Sequence, residues 1–401
     1  MPTLTEAING LPRSVWLEID EGALANNVAV FREIVGPDVE LSAVVKADAY
    51  GHGLRHTALA FEAAGADRLC VASLDEALAL RSYGIQTAIL VLFVVPADGA
   101  AEAARNDIDL TIASVPSQVP GLKVQVEVET GLSRGGVGPE TVAGLISRLA
   151  EANAQVTGLW THLAMPEDGE YTRMQVARFD AAADAVQAAG MPVPRRHVAA
   201  TGGVLVGVPA YEGVRIGLGM YGLLPLDLPI PESLRPYADR LRPAMSLKAR
   251  ALRIERFPMG TRVSYGGRWT AERDSVIATL PVGYGDAIPR PAPWGNALVN
   301  GRRVPLVGTV AMDAVMVDVT DVADGLSETE EFVLLGSQGS DEIGAVELAR
   351  ARNTIPWEVV TGMSQRIPRV YHAGSVLTGT RTLHSEHRSE TDLGDGGTIG
   401  Q

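Results

Sequence analysis

The chain has 401 residues, of which 34 are basic and 48 are acidic, so its formal net charge at pH 7 is −14. This acidic balance argues against a nucleic-acid-binding protein, which would need a basic patch. A single cysteine, Cys70, excludes a disulfide framework and a multi-cysteine metal site, and it is typical of a reducing compartment. There is no apolar run of about 18 residues and no signal-peptide pattern, so we predict a cytoplasmic protein with no membrane span.

Short apolar runs alternate with helical patterns from residue 16 to about residue 221. Roughly eight such alternations are typical of a parallel barrel, with a doubly wound sheet as the second choice. We therefore predict an α/β fold in which residues 14–240 form an N-terminal (β/α)8 TIM-like barrel.

The pattern changes after the barrel. Residues 224–243 are proline-rich and predict a connector, and the apolar runs beyond them are separated by Gly, Pro and Asp, as antiparallel strands are. We predict a C-terminal, mainly antiparallel β domain over residues 241–380, with residues 1–13 as a candidate addition to it. The polar, glycine-rich residues 381–401 are expected to be disordered.

Lys46 has the most distinctive surroundings of the three lysines, which are Lys46, Lys123 and Lys248. It follows the apolar run at residues 41–45, and the carboxyl ends of barrel strands are where active sites are built. Desolvation there lowers the pKa of an amine and makes it a nucleophile. On this segment alone, an ordinary surface lysine remains the more frequent alternative.

Two other patterns resemble a metal-binding motif and a dinucleotide-binding motif, but each lacks a feature that its motif requires. His52 and His56 have helical i, i+4 spacing but lack the glutamate of an HExxH motif, so we predict no metal site. Residues 217–222 fit G-x-G-x-x-G, but the prolines that follow argue against the helix that a dinucleotide site needs.

Seven segments, in order along almost the whole chain, resemble those of the alanine racemase family, the fold-type III pyridoxal phosphate (PLP) enzymes. They are AVVKADAYGHG (43–53), VETGLSR (128–134), WTHLA (160–164), GVRIGLGMYG (213–222), VSYG (263–266), PVGYGD (281–286) and AMD (311–313). The resemblance implies a PLP-dependent isomerase that interconverts L- and D-alanine, or a related, larger or more polar amino acid. It also implies a homodimer with shared active sites.

The resemblance further implies roles for individual residues. Lys46 would bind PLP as an aldimine and move the α-proton on one face, while Tyr265 from the partner subunit would be the acid/base on the other. Racemisation needs two such groups on opposite sides of a planar carbanion. Arg215 would face the pyridine nitrogen, and His162 would hydrogen-bond to Arg215. The residues expected to hold the phosphate are Tyr50, Thr201, Gly217 and Leu218.

The substrate would be bound by Arg134 and by the Met312 amide of the partner subunit, with Tyr284 in a segment that closes the site. Glu127 stands where many members carry a carbamylated lysine, and we expect it to orient Arg134 without modification. Gln365 stands where the family usually has tyrosine, so we expect a wider or more polar pocket than that of a strict alanine racemase.

Two alternatives share this fold and cofactor. One is another fold-type III reaction, namely decarboxylation, aldol cleavage or transamination, against which Arg215 and Ala311 argue. The other is a PLP-binding but inactive paralogue, which Ala200 and Gln365 leave open because both depart from the family pattern.

Overall fold

The computed structural model describes residues 3–115, 121–291 and 295–388. They form two compact units, one of residues 23–243 and the other of the described residues before 23 and after 243. The chain begins with helix α1 (Leu4–Asn9) and strand β1 (Val15–Asp20), which both belong to the second unit. The prediction that the barrel starts at residue 14 is therefore wrong for residues 14–22, since β1 pairs with later strands of that unit.

Residues 23–243 contain a closed barrel of eight parallel strands, and the barrel prediction is confirmed. The strands are β2 (Glu40–Val44), β3 (Arg68–Val71), β4 (Ala88–Val91), β5 (Ile108–Ile112), β6 (Lys123–Glu127), β7 (Gln155–Trp160), β8 (Arg195–Ala200) and β9 (Gly213–Ile216). Each strand pairs with the next, and β9 pairs with β2 to close the sheet. Because both faces of such a sheet are covered, strands such as β3 and β5 are buried along their whole length.

Helices precede, connect and follow the barrel strands. They are α2 (Glu21–Val35), α3 (Lys46–Tyr50), α4 (Leu54–Ala63), α5 (Leu74–Ser82), α6 (Ala100–Arg105), α7 (Val142–Glu151), α8 (Gly169–Ala188), α9 (Thr201–Leu205) and α10 (Arg235–Ala238). Helix α8 begins after Asp168, whose side chain accepts two backbone N–H groups of the first turn, as a helix start requires. None of the helices within the described ranges is long and apolar enough to cross a membrane.

The second unit is a mainly antiparallel sheet, as predicted. Its further strands are β10 (Met245–Arg250), β11 (Arg253–Phe257), β12 (Arg262–Val263), β13 (Trp269–Thr270), β14 (Ser275–Leu280), β15 (Asn296–Val299), β16 (Arg302–Val307), β17 (Val315–Asp318), β18 (Glu331–Gln338), β19 (Asp341–Ile343), β20 (Arg369–Ala373), β21 (Val376–Arg381) and β22 (Glu386–Arg388), and its further helices are α11 (Ala345–Arg352) and α12 (Pro356–Thr361). β1 lies between β10, to which it is antiparallel, and β20, to which it is parallel.

The end of the described chain differs from the sequence-based expectation. Disorder is expected from residue 381 onward, but Arg381 ends β21 and the short strand β22 pairs with β21. Backbone hydrogen bonding therefore orders these residues in spite of their polar composition. The rest of the expected tail, residues 389–401, lies outside the described residues.

Candidate functional site

Lys46 begins α3, two residues after the end of β2. Because the barrel strands are parallel, the loops after their carboxyl ends gather at one end of the barrel. Burial lowers the pKa of the Lys46 amine, and the positive charges of Arg134 and Arg215 add to this effect. A lowered pKa leaves more of the amine neutral, which is the form that acts as a nucleophile.

The backbone after Lys46 makes a left-handed turn. Residues 47–50 are not glycines, yet their φ angles lie between 52° and 55°, a conformation that costs roughly 1–2 kcal/mol per residue. The Glu76 carboxylate accepts the Ala47 N–H at 2.7 Å, and Asp48 accepts the Leu54 N–H at 2.8 Å. The Glu76 carboxylate also accepts the Ser73 N–H at 3.3 Å, at the start of α5, and its contact with the Lys46 turn depends on the fold.

The residues predicted to hold a phosphate lie together. A Cβ on Gly217 would lie only 2.6 Å from the Tyr50 hydroxyl, so these two residues are in close contact. Gly219 donates its N–H to the Thr201 hydroxyl at 3.1 Å. Leu218 lies between these glycines and is buried. Hydroxyl groups and backbone N–H groups around glycines are suited to phosphate oxygens. These residues therefore fit a phosphate-bearing cofactor.

Arg215, on β9, is buried and held from several sides. Its guanidinium donates to Nδ1 and to the carbonyl of His197, both at 2.7 Å, and to the Thr161 carbonyl at 2.6 Å. Its central carbon lies 4.6 Å from the centre of the Trp160 ring. Burial lowers the pKa of Arg215 to about 10, so the group remains a cation at neutral pH.

The histidine that binds Arg215 is not the predicted one. His162 was expected to do so, but within the described residues the ring hydrogen-bonded to Arg215 is that of His197. The reason is strand order, because His197 lies on β8, which is adjacent to β9, whereas His162 follows β7. Burial lowers the pKa of His162 to about 3, and the charges of Arg215, Arg134 and Lys46 add to this effect, so its ring is neutral at pH 7.

Arg134 lies on the loop after β6, within ion-pair distance of Glu127. Its Nη2 is 3.7 Å from Glu127 Oε1, as the sequence-based pairing of the two residues predicts. Burial raises the pKa of Glu127, while Arg134 and Arg215 oppose this shift. Lys46 Nζ lies 5.8 Å from the centre of the Phe93 ring, and the guanidinium carbon of Arg134 lies 5.3 Å from the same centre. Sequence reasoning missed Phe93, because it lies outside the seven family-like segments.

Three predicted site residues lie on turns of the sheet unit. The exposed fractions are 69% for Tyr265, 52% for Met312 and 41% for Tyr284. The Tyr265 carbonyl accepts the Thr309 hydroxyl at 2.8 Å, which fixes the turn that carries the phenol. Large exposed side chains of this kind are frequent where another molecule binds.

A fully buried carboxylate, Asp286, ties two of these turns together. It accepts two hydrogen bonds from the Arg366 guanidinium at 2.8 and 3.0 Å, and Arg366 also pairs with Asp313 at 2.7 Å. The Met312 carbonyl accepts a further bond from Arg366 at 3.3 Å. Since Gln365 precedes Arg366, this cluster holds Met312 and the backbone of Gln365 near each other.

Comparison with known proteins identifies the family. The family profile described as "Alanine racemase, N-terminal domain" matches residues 19–225, and the one described as "Alanine racemase, C-terminal domain" matches residues 244–371. The chain belongs to the alanine racemase family. The members of this family are isomerases, and the family prediction made from the seven segments is confirmed.

Individual members of the alanine racemase family match nearly the whole chain. The alanine racemase of Symbiobacterium thermophilum is 38% identical over 90% of this chain and 97% of its own length, and that of Methanococcus maripaludis is 34% identical over 89% and 98%. The crystal structure of the Bacillus anthracis alanine racemase with bound L-Ala-P is similar with a TM-score of 0.84 at 32% identity, covering 93% of this chain and 98% of that one.

Proposed function

We propose that this member of the alanine racemase family is a pyridoxal phosphate-dependent amino-acid racemase whose first substrate is alanine. The observation that carries the proposal is the grouping of the Lys46 amine and the buried Arg215 cation at the barrel end where Tyr50 and Gly217 fit a phosphate. PLP, when bound, supplies an electron-withdrawing ring that makes the α-proton of the amino acid acidic. The cytoplasmic location stays a prediction from the sequence.

Inversion of an α-carbon needs one group that removes a proton from one side and another that returns a proton to the opposite side. We assign the first role to Lys46, because burial lowers the pKa of its amine and so favours the neutral form that accepts a proton, and the second to Tyr265. The phenol of Tyr265 is largely exposed on its own subunit. This exposure supports a homodimer in which Tyr265, together with Met312, enters the site of the partner subunit.

Substrate binding would depend on Arg134, whose planar guanidinium can bind a carboxylate through two parallel hydrogen bonds. Glu127 Oε1 lies 3.7 Å from Arg134 Nη2, so it would orient this guanidinium without occupying all of its hydrogen-bond donors. Phe93 would restrict where the guanidinium of Arg134 lies, since the guanidinium carbon is 5.3 Å from the centre of its ring. The buried Arg215 would hold its positive charge against the cofactor ring, disfavour protonation of the ring nitrogen and so limit side reactions.

Glu127→Gln is expected to raise the KM for alanine about two- to fivefold with little change in kcat. The Arg134 side chain is 38% exposed, and ion pairs that are open to solvent contribute about 0.2–1 kcal/mol. Steady-state kinetics in both directions measure the effect. Glu140→Gln, at an exposed position beyond the same loop, is the matched control and should leave KM unchanged. An unaltered KM in Glu127→Gln would contradict the orienting role.

The reaction itself is tested by α-proton exchange in D2O across a panel of amino acids, followed by chiral analysis. A racemase gives exchange with inversion, for alanine first. Loss of CO2 would instead indicate a decarboxylase, and conversion of the cofactor to its amine form would indicate a transaminase. Absence of exchange with every amino acid of the panel would favour the inactive paralogue.

The width of the substrate pocket is tested at Gln365. A tyrosine there would fill space that the shorter, flexible amide leaves, so Gln365→Tyr is expected to raise the preference for alanine over serine, lysine and arginine about tenfold, as pocket contacts of this size commonly do. The measurement is the ratio of kcat/KM values in the two proteins. An equally strong alanine preference in both would contradict a wider or more polar pocket.

A further inference from the structure

A chain of buried polar side chains continues from Arg215 through the interior of the barrel. His197 Nδ1 lies 2.7 Å from Arg215 Nη1, His197 Nε2 lies 2.8 Å from Gln125 Oε1, and Gln125 Nε2 donates to Asp109 Oδ2 at 3.0 Å. These residues lie on β9, β8, β6 and β5, and none is more than 4% exposed. A buried polar group that is left without a hydrogen-bond partner destabilises the folded protein.

Asp109 determines which way the bonds run. Its Oδ2 also accepts from Arg68 Nη1 at 2.9 Å and from the Thr157 hydroxyl at 2.8 Å. An oxygen that accepts from several donors requires the amide nitrogen of Gln125 to face it, since the amide oxygen has no proton to donate. Gln125 Oε1 therefore faces His197, and it can accept a hydrogen bond only if His197 carries its proton on Nε2.

The barrel leaves space for Gln125 in this orientation. Gly158, on the neighbouring strand β7, faces its amide, and a Cβ at this position would lie 2.6 Å from Gln125 Oε1. Only a residue without a side chain allows that approach.

His197 is neutral in these surroundings. Burial and the nearby charges of Arg215 and Arg68 hold the pKa of its imidazole well below the ordinary value. A neutral imidazole has a single N–H, so a proton on Nε2 leaves Nδ1 as an acceptor. The opposite tautomer would place an N–H of His197 against an N–H of Arg215 at 2.7 Å.

We infer that Gln125, oriented by Asp109, is a positioning residue that holds His197 as the Nε2–H tautomer and so fixes the acceptor for the guanidinium of Arg215. Arg215 alone would restrain the imidazole at one ring nitrogen, whereas the Gln125 bond restrains the other nitrogen as well. The consequence for catalysis rests on the proposed function, in which Arg215 lies against the cofactor ring.

The direct test is 15N NMR of the full-length, cofactor-loaded protein labelled at histidine, with the His197 signals assigned through His197→Gln. We expect the Nε2–H tautomer at neutral pH in the unaltered protein. An Nδ1–H tautomer or an imidazolium would overturn the inference. The spectrum needs no turnover, so a protein that fails to racemise any amino acid would contradict the proposed function and leave this test intact.

Variants test the contribution to catalysis. In Gln125→Leu we expect the hydrogen-bonded Nε2–H signal to be lost and kcat to fall about 10- to 100-fold with KM nearly unchanged, since a displaced guanidinium misplaces the reacting groups. Asp109→Asn keeps an oxygen at the Oδ2 position, so it should retain the tautomer and stay within about threefold of the original kcat. The control is Gln187→Leu, at an exposed position of α8, which should change neither.

Two results would overturn the inference, the first for its catalytic part and the second for the role of hydrogen-bond direction. One is a Gln125→Leu protein that loses thermal stability but keeps its kcat, because the role of the amide would then be structural only. The other is an Asp109→Asn protein that loses the Nε2–H signal in the same way as Gln125→Leu, because the charge of Asp109, and not the direction of the hydrogen bonds, would then control His197.

Discussion

Lys46→Ala should reduce the rate of racemisation by about 10⁴-fold or more, because in the proposed function Lys46 is both the covalent attachment of the cofactor and a proton-transfer group. Burial lowers the amine pKa of Lys46, which follows the carboxyl end of β2. The other two lysines are paired with carboxylates, Lys123 with Asp107 at 2.6 Å and Lys248 with Glu18 at 2.7 Å. Neither is therefore expected to replace the missing amine.

The attachment is measured independently of activity by borohydride reduction and peptide mass spectrometry. The unaltered protein should gain the mass of the reduced cofactor on the peptide that contains Lys46, and Lys46→Ala should gain none. Lys123→Ala is the matched control, because Lys123 lies at the opposite, amino end of strand β6, and it should keep both the adduct and the activity. An adduct on Lys123 or Lys248 would disprove the assignment.

Tyr265→Phe should lower racemisation about 10²- to 10⁴-fold, since it removes a general acid/base and nothing else from the side chain. The hydrogen bond that the Tyr265 carbonyl accepts from Thr309 is made by the backbone, so the turn should be preserved. Exchange of the α-proton with solvent D2O should continue from the enantiomer whose proton faces Lys46. Tyr83→Phe, on the barrel, serves as the control and should racemise normally.

Mixed dimers test whether Tyr265 acts in the site of the partner subunit. Lys46→Ala and Tyr265→Phe chains that associate at random in equal amounts form hybrid dimers in half of the cases, and one of the two shared sites of each hybrid is intact. Activity should therefore recover to about one quarter of that of the unaltered protein. No recovery would mean that each site takes both residues from a single chain.

Much of this protein was predictable because the relevant signals are local in the chain. The alternation of apolar runs and helical patterns over residues 16–221 predicts the barrel, since burial of a parallel strand shows in its own few residues. The position of Lys46 follows for the same reason, because a strand and the residue after it are neighbours in sequence. The ordered family-like segments likewise identified the family before any contact was known.

The remaining features depend on pairings between residues far apart in sequence. β1 joins the sheet unit because its backbone partners are β10 and β20, which no local pattern of residues 15–20 reveals. Arg215 binds His197 rather than His162 because β8 lies beside β9 in the closed barrel.

The same closure decides the surroundings of Lys46 and of the buried Arg215 cation. It brings Glu76 to the turn after Lys46, and it aligns Asp109 and Gln125 with His197 across the barrel interior. A hydrogen bond acts only over about 3 Å, so its partners are determined by the order and register of the strands. The sequence by itself thus determined the barrel, the family and the position of Lys46 after a barrel strand, whereas the tertiary structure alone decided which groups surround Lys46 and Arg215.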